Sequence, residues 1–209
     1  YHSGRNDSPA NQEMKRHLFS KHSIFSTISL HNKFDIDQIL LEFNNQKKEF
    51  DYSHFIQKRW ENIYVNPMNV PAVLPFLSYA AATASKFYQQ SLIIPHELLG
   101  FNQNEFWFNS AKAGESTRLH NHNSEATISG VFYLQVPENS GNLFFQNGKN
   151  HALEIPAEKG KLVLFPAGLN HSVPENRSRA KRISLSFNCY KFPLPEIHFD
   201  NEFSNAKFL

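Results

Sequence analysis

The residues best placed to do chemistry are His120 and His122, in the run from Gly114 to His122 (GESTRLHNH), and His171, at the end of the run from Phe165 (FPAGLNH). On an extended strand, side chains two apart share a face, so the spacing predicts two imidazoles side by side at His120 and His122. A third histidine from a distant strand would close one face of an octahedron and leave the opposite face to substrate or oxygen. That is the layout of a catalytic metal rather than a structural one. Eleven histidines in 209 residues make such a pair easy to meet by chance, so its surroundings carry the weight. A β-rich run, Ala126 to Leu134, follows the pair, and another, Lys161 to Phe165, precedes His171. Ligands at strand ends are held rigidly.

A second feature is the run Arg182 to Asn188 (RISLSFN). Read as a strand, it places Arg182, Ser184, Ser186 and Asn188 on one face and Ile183, Leu185 and Phe187 on the other. If the polar face lines a barrel, Arg182 is a buried cation that needs an anionic partner. A guanidinium favours a bidentate carboxylate, and Ser184 could donate one more hydrogen bond to the same group. Metal and arginine together imply an acid ligand spanning them.

These residues need a scaffold, and the chain supplies two textures. Residues 1–22 are expected to form a flexible N-terminal tail, partly foreign or processed, with Met14 a candidate native start; Ser23 to Leu30 is a weak first strand. Asp35 stands as an N-cap before Ile36, Ile39, Leu40 and Phe43 at helical spacing, and Lys47 and Lys48 suit the negative helix end. Pro71 opens a second helix to about Gln90, with Val73, Leu74, Leu77, Ala80, Ala81 and Ala84 in period, and Gly100 ends the helical part. Trp60 to Met68 reads as irregular and aromatic, and core packing is the expectation there. From Asn104 the runs Glu105–Asn109, Thr127–Val136, Gly141–Phe145, Leu162–Phe165 and Arg182–Asn188 are strands bounded by Gly, Pro, Asn and Ser. The prediction is an α+β, mainly β protein: one domain over 23–209, with helical support at about 35–100 packed outside one sheet of a barrel at about 104–190.

Composition narrows the function. A chain with 40% hydrophobic and 14% aromatic residues builds one core and is short for two. The net charge of +2 is small and spread out, which argues against nucleic acid or membrane partners and for a small molecule or peptide. A single cysteine, Cys189, excludes an intrachain disulfide and fits a cytoplasmic protein. No apolar run reaches the roughly eighteen residues of a membrane helix.

At these residues the chain resembles the iron(II)/2-oxoglutarate-dependent oxygenases, whose core is a double-stranded β-helix, or jelly roll. Their pattern is HxD or HxE, a distal His, then Arg with Ser or Thr two positions later. The matching positions are His120-Asn121-His122, His171 and Arg182-Ile183-Ser184, and Arg182 follows His171 by eleven positions. The resemblance spans about Phe106 to Tyr190. More narrowly, Ile128–Leu134, Ser140–Phe145, Leu164–Pro166 and Ile183–Asn188 are similar to a largely uncharacterised bacterial and phage group of such oxygenases. The departure is His122 in place of a carboxylate, which leaves the metal one unit more positive; Glu125 is the second choice of ligand if the strand bends. The chain also resembles the cupins, built on the same kind of barrel. Gly114, His120-Asn121-His122 and Glu125 follow their first motif, and Gly160, Pro166-Ala167-Gly168 and His171 their second. A three-histidine cupin dioxygenase or isomerase that does not use 2-oxoglutarate is therefore the alternative. Arg182-Ile183-Ser184 and the helical N-terminal half favour the oxygenase.

The oxygenase resemblance implies Fe(II) on His120, His122 and His171, 2-oxoglutarate and O2 as co-substrates, and ascorbate as a stimulant. It implies Arg182 and Ser184 on the distal carboxylate of 2-oxoglutarate, with Tyr133 adding a hydroxyl. The expected outcome is hydroxylation with release of succinate and CO2. Halogenases of this type resemble HxA or HxG, and His122 would fill the space a halide needs. Asn109 and Arg118 flank the metal strand as weak substrate-binding candidates. His151, His198 and the Arg177, Arg179 and Lys181 cluster read as surface groups.

Overall fold

The computed structural model describes residues 14–27, 29–46, 50–56, 59–122, 126–148 and 151–194. In chain order the elements are β1 (Lys15–Phe19), β2 (His22–Ser26), α1 (Ile36–Asn45), β3 (Asp51–Ile56), β4 (Arg59–Tyr64) and α2 (Leu74–Tyr88). There follow β5 (Leu92–Ile93), β6 (Phe106–Ala111), β7 (Thr117–His120), β8 (Ile128–Gln135), β9 (Leu143–Asn147), β10 (His151–Ile155), β11 (Leu162–Pro166), β12 (His171–Val173) and β13 (Arg182–Lys191). The large sheet runs β1-β2-β11-β8-β13-β6-β4-β3, with β5 beside β13, and the small sheet runs β10-β9-β12-β7. Among the described residues every strand pairing is antiparallel, as in a jelly roll.

The central strands β8, β11 and β13 of the large sheet are buried on both faces, which explains their long apolar runs. In β8, Phe132 and Leu134 point into a core shared with the helices, and Val131 and Tyr133 into a core shared with the small sheet. β11 divides in the same way, Leu162 and Leu164 against Val163 and Phe165. In β13 the apolar set Ile183, Leu185, Phe187 and Cys189 meets the helices. Its polar set is turned the other way, toward a cavity between the sheets.

Both helices form where their sequences place them. The Asp35 carboxylate accepts from the Gln38 N–H at 2.9 Å, and Ile36, Ile39 and Phe43 are buried. Pro71 starts a 3₁₀ turn that runs into α2, and Gln89 closes α2 in the left-handed region at φ 53°. The Glu42 carboxylate accepts from the Ala72 N–H at 2.9 Å and ties the two helices together on the outer face of the large sheet. No helix among the described residues is long and apolar enough to cross a membrane.

Three expectations need correction. Residues 15–22 are not tail: β1 pairs with β2, which lies on β11, so the sheet's edge begins at Lys15. The first strand, given as Ser23 to Leu30, is β2, and it stops at Ser26. Trp60 to Met68 is not an irregular core segment: through Tyr64 it is β4, paired with β3 and β6, and Trp60 is exposed. The alternation in β4 is inverted. Arg59 and Glu61 are buried while Trp60 faces out, so a search for apolar residues at the buried positions passes over the strand. The Lys47–Lys48 helix end lies outside the described residues.

Candidate metal centre

The small sheet positions the first two histidines. His171 opens β12 and stands opposite His120, the last residue of β7, as a cross-strand pair. Their ring centroids are 4.3 Å apart. His122 is not on the strand face predicted for it, because β7 ends at His120. Its backbone N–H instead donates to the Ala167 carbonyl at 2.8 Å, and the Asn121 amide donates to Asn170 at 2.7 Å, so the two ligand-bearing segments are stitched to each other. This turns the His122 ring toward the pair, 5.1 Å from His120 and 5.4 Å from His171. One ring nitrogen from each of the three histidines falls within 4.8 Å of the others.

Backbone carbonyls fix the rings. Nδ1 of His120 faces the Arg118 carbonyl at 2.8 Å, and Nδ1 of His171 faces the Leu169 carbonyl at 2.9 Å. A carbonyl only accepts, so each Nδ1 carries the proton and each Nε2 keeps its lone pair for a metal. His171 is buried among Phe145, Phe165 and the other two histidines, and burial pushes its pKa down to about 3, with His120 adding to the effect. At neutral pH it is an uncharged ligand. Three neutral imidazoles suit iron, zinc, copper or nickel.

The same cavity, about 290 Å³, reaches from the histidines to Tyr133, Arg182 and Ser184. Arg182 is 2% exposed. Its Nη1 donates to the Ser140 carbonyl at 2.5 Å, and no carboxylate lies within ion-pair distance among the described residues. A register shift between Ile183 and Ser184 sets Tyr133 opposite Ser184 on the neighbouring strand. The Tyr133 hydroxyl is fully buried with no hydrogen-bond partner, and burial pushes it up to about 12 against the pull of Arg182. A buried guanidinium without a carboxylate, beside a buried hydroxyl without an acceptor, could receive an acid that the described side chains do not supply.

The residues near this end leave little slack. Gly141 has φ +95°, and a Cβ there would lie 2.8 Å from the Pro174 carbonyl and 3.0 Å from Nη1 of Arg182. Glycine lets the chain pass close over the guanidinium. Across β8, a Cβ on Gly130 would fall inside the Phe187 ring.

Arg118 is exposed and outside the cavity lining, whereas Asn109 lines it and bonds to β4. Glu125 and His198 lie outside the described residues, and His151 begins β10 rather than a loop. Sequence reasoning missed Glu61, Glu105, Trp107 and Asn188, all of which line the cavity. Glu105 accepts from the Tyr190 hydroxyl at 2.8 Å and from the Asn188 amide at 3.3 Å, and Ser129 donates to Asn188 at 2.8 Å. The polar face predicted for β13 could have pointed to Asn188, while the others gave no signal.

A sequence-family model described as "Putative 2OG-Fe(II) oxygenase" matches residues 105–157 and 145–188, which hold the three histidines, Tyr133, Arg182 and Ser184. Over these residues the barrel is similar to the iron(II)/2-oxoglutarate oxygenases. No curated protein sequence matches this oxygenase. Its fold is that of a prolyl-4-hydroxylase from Pseudomonas putida, at 18% identity and a TM-score of 0.59, over 82% of this chain and 94% of that one. It is also that of SnoN, a non-haem α-ketoglutarate-dependent epimerase of nogalamycin biosynthesis, at 14% identity and a TM-score of 0.62, over 80% and 77% of the two chains. A prolyl hydroxylase from Trichoplax adhaerens, solved with a peptide fragment of hypoxia inducible factor, is 14% identical with a TM-score of 0.50, over 75% and 78%. The double-stranded β-helix expected from the resemblance is thus the fold, and the family model implies Fe(II), 2-oxoglutarate and O2 as the cofactor and co-substrates. The three-histidine cupin alternative is not favoured.

Proposed function

We propose that this oxygenase hydroxylates an unactivated C–H of a small molecule or peptide, with His120, His122 and His171 as the iron ligands and Arg182, Ser184 and Tyr133 as the seat of 2-oxoglutarate. The observation that carries this is a buried Arg182 with no carboxylate partner among the described residues and the unpartnered Tyr133 hydroxyl, in one cavity with the three histidines. When bound, iron and 2-oxoglutarate supply the oxidising chemistry: the keto acid is decarboxylated to succinate, and one atom of O2 goes to the substrate C–H.

The chain's own residues do the rest. His120 and His171 present Nε2 because their Nδ1–H groups are spent on carbonyls. Arg182 offers a planar fork to the distal carboxylate, and the Tyr133 hydroxyl, kept protonated by its surroundings, donates to the same group. Phe165 packs against the His171 ring and lines the metal end of the cavity. The helical support and the barrel act as one unit, because both cores lie on the same large sheet.

The test is anaerobic titration of the metal-free protein with Fe(II) and then 2-oxoglutarate, following the visible charge-transfer band. The band is expected only once 2-oxoglutarate is added. In Arg182→Ala the 2-oxoglutarate affinity is expected to fall on the order of 100-fold, since removing one side of a buried charged contact costs roughly 2–5 kcal/mol. Iron binding without the band would refute the use of 2-oxoglutarate.

A further inference from the structure

Among the described residues, two buried carboxylates line the cavity and are unused by the proposed chemistry, and Glu61 is the one with an unpartnered oxygen. It is 7% exposed, it lines the cavity that holds the three histidines, and its Oε1 is buried with no hydrogen-bond partner. The second cavity carboxylate, Glu105, is already held by Tyr190 and Asn188. Arg59, two positions before Glu61, attracts it but makes no hydrogen bond to it: its Nη2 donates to Asn109 Oδ1 at 3.0 Å, its Nη1 lies 3.8 Å from Glu115, and Nε and Nη1 make no hydrogen bond. Asn109 spends its own amide on the Glu61 backbone carbonyl at 3.0 Å and so fixes the strand rather than the carboxylate. Burial raises the Glu61 pKa, with Arg59 the largest influence the other way. The carboxylate is therefore undercompensated in the protein alone. A buried acceptor with no donor is costly to keep, and such groups concentrate where a ligand completes them.

We infer that Glu61 is a specificity residue for the prime substrate, and that the substrate carries a protonated amine or guanidinium which Glu61 receives while the neighbouring C–H faces the metal. The inference rests on the oxygenase reading of the cavity and names the substrate class for it. The acid co-substrate has its seat at Arg182, the opposite charge, so the two ligands of the cavity are told apart by sign. Asn62 and Tyr64 also line the cavity from β4, and the Asn62 amide donates to the Tyr64 hydroxyl at 3.3 Å, which leaves Glu61 as the strand's charged contact there.

The experiment uses the full chain loaded anaerobically with Fe(II) and 2-oxoglutarate, and compares n-butylguanidine and n-butylamine with the neutral n-butylurea by calorimetric titration, in wild type and Glu61→Gln. The cations are expected to bind at least tenfold more tightly than the urea, and Glu61→Gln is expected to abolish that preference while leaving the charge-transfer band unchanged. Equal binding of cation and urea, no binding of either cation, or a preference that survives in Glu61→Gln would overturn the inference. So would a Glu61→Gln protein that loses iron, because the carboxylate would then be serving the three-histidine metal and not a substrate. If wild type shows no band with 2-oxoglutarate, the oxygenase reading fails on its own, and the cation preference is still measured on the same protein.

Discussion

Arg182 and Arg59 are both buried arginines, the first lining the histidine cavity and the second a neighbouring cleft, and they are held in different ways. Arg182 starts β13, between β6 and β8 near the middle of the large sheet, under the close turn at Gly141. Arg59 starts β4, one strand from the sheet's edge, and two of its nitrogens, Nε and Nη1, are buried with no hydrogen bond. The first is fixed by strands on both sides. The second depends on a hairpin that meets β6 at Ile63 and Phe108. The difference matches what each end must recognise. A co-substrate common to the whole family can be met by a rigid pocket in the barrel, whereas the substrate of one enzyme is met by strands added at the sheet's edge.

This contrast predicts where damage is confined. Arg182→Ala should abolish most 2-oxoglutarate affinity and leave the cation preference assigned to Glu61 intact, while Glu61→Gln should do the reverse. A variant that lost both would show that the two ends are one cooperative site.

Acid should reach the metal end in a defined window. His171 stays neutral in the folded protein down to about pH 3, but in the unfolded chain it takes up a proton near its ordinary 6.5. Between those values the unfolded state binds more protons, so stability is fully present above about pH 6.5 and is lost as pH falls through the window. For the metal-free protein, urea midpoints are expected to fall between pH 7 and pH 4 more steeply in wild type than in His171→Gln. Parallel slopes would mean that His171 is not held neutral by its surroundings. Next in size is Gly141→Ala. A Cβ at φ +95° and 3.0 Å from Nη1 must displace Arg182 or strain the turn, so 2-oxoglutarate should bind roughly tenfold more weakly, about 1.4 kcal/mol, at unchanged iron affinity. Titration of both ligands decides it.

Much of the metal end was legible in the sequence because it is written in strand periodicity. His171, Arg182 and Ser184 fall where a period of two and the runs before them put them, and the two-faced burial of β8, β11 and β13 gives long apolar runs. His122 reached the cluster by another route than the one predicted, through a backbone contact to Ala167 that no local pattern announces. β12 has three residues, and β4 carries its charges inward, so neither reads as a strand. Arg59 and Glu61 break the hydrophobic rule at the place where the proposed function needs polar groups. Local rules fail first at functional sites, and the failure itself marks the site.

The smallest effect separates stability from recognition at a single atom. The Tyr133 hydroxyl is buried without a partner, so the ligand-free protein carries its desolvation cost, and Tyr133→Phe should remove that cost while keeping the ring packed. The metal-free variant is expected to be more stable by about 1 kcal/mol, a rise in Tm of roughly 2–4 °C for a chain of this size. Affinity for 2-oxoglutarate should move the other way, falling several-fold, because a donor aimed at the distal carboxylate is gone. Melting curves and charge-transfer titrations on the same preparation read both signs. A variant that loses stability without losing 2-oxoglutarate affinity would show that the hydroxyl serves the core and not the co-substrate, leaving Arg182 and Ser184 to hold the acid alone.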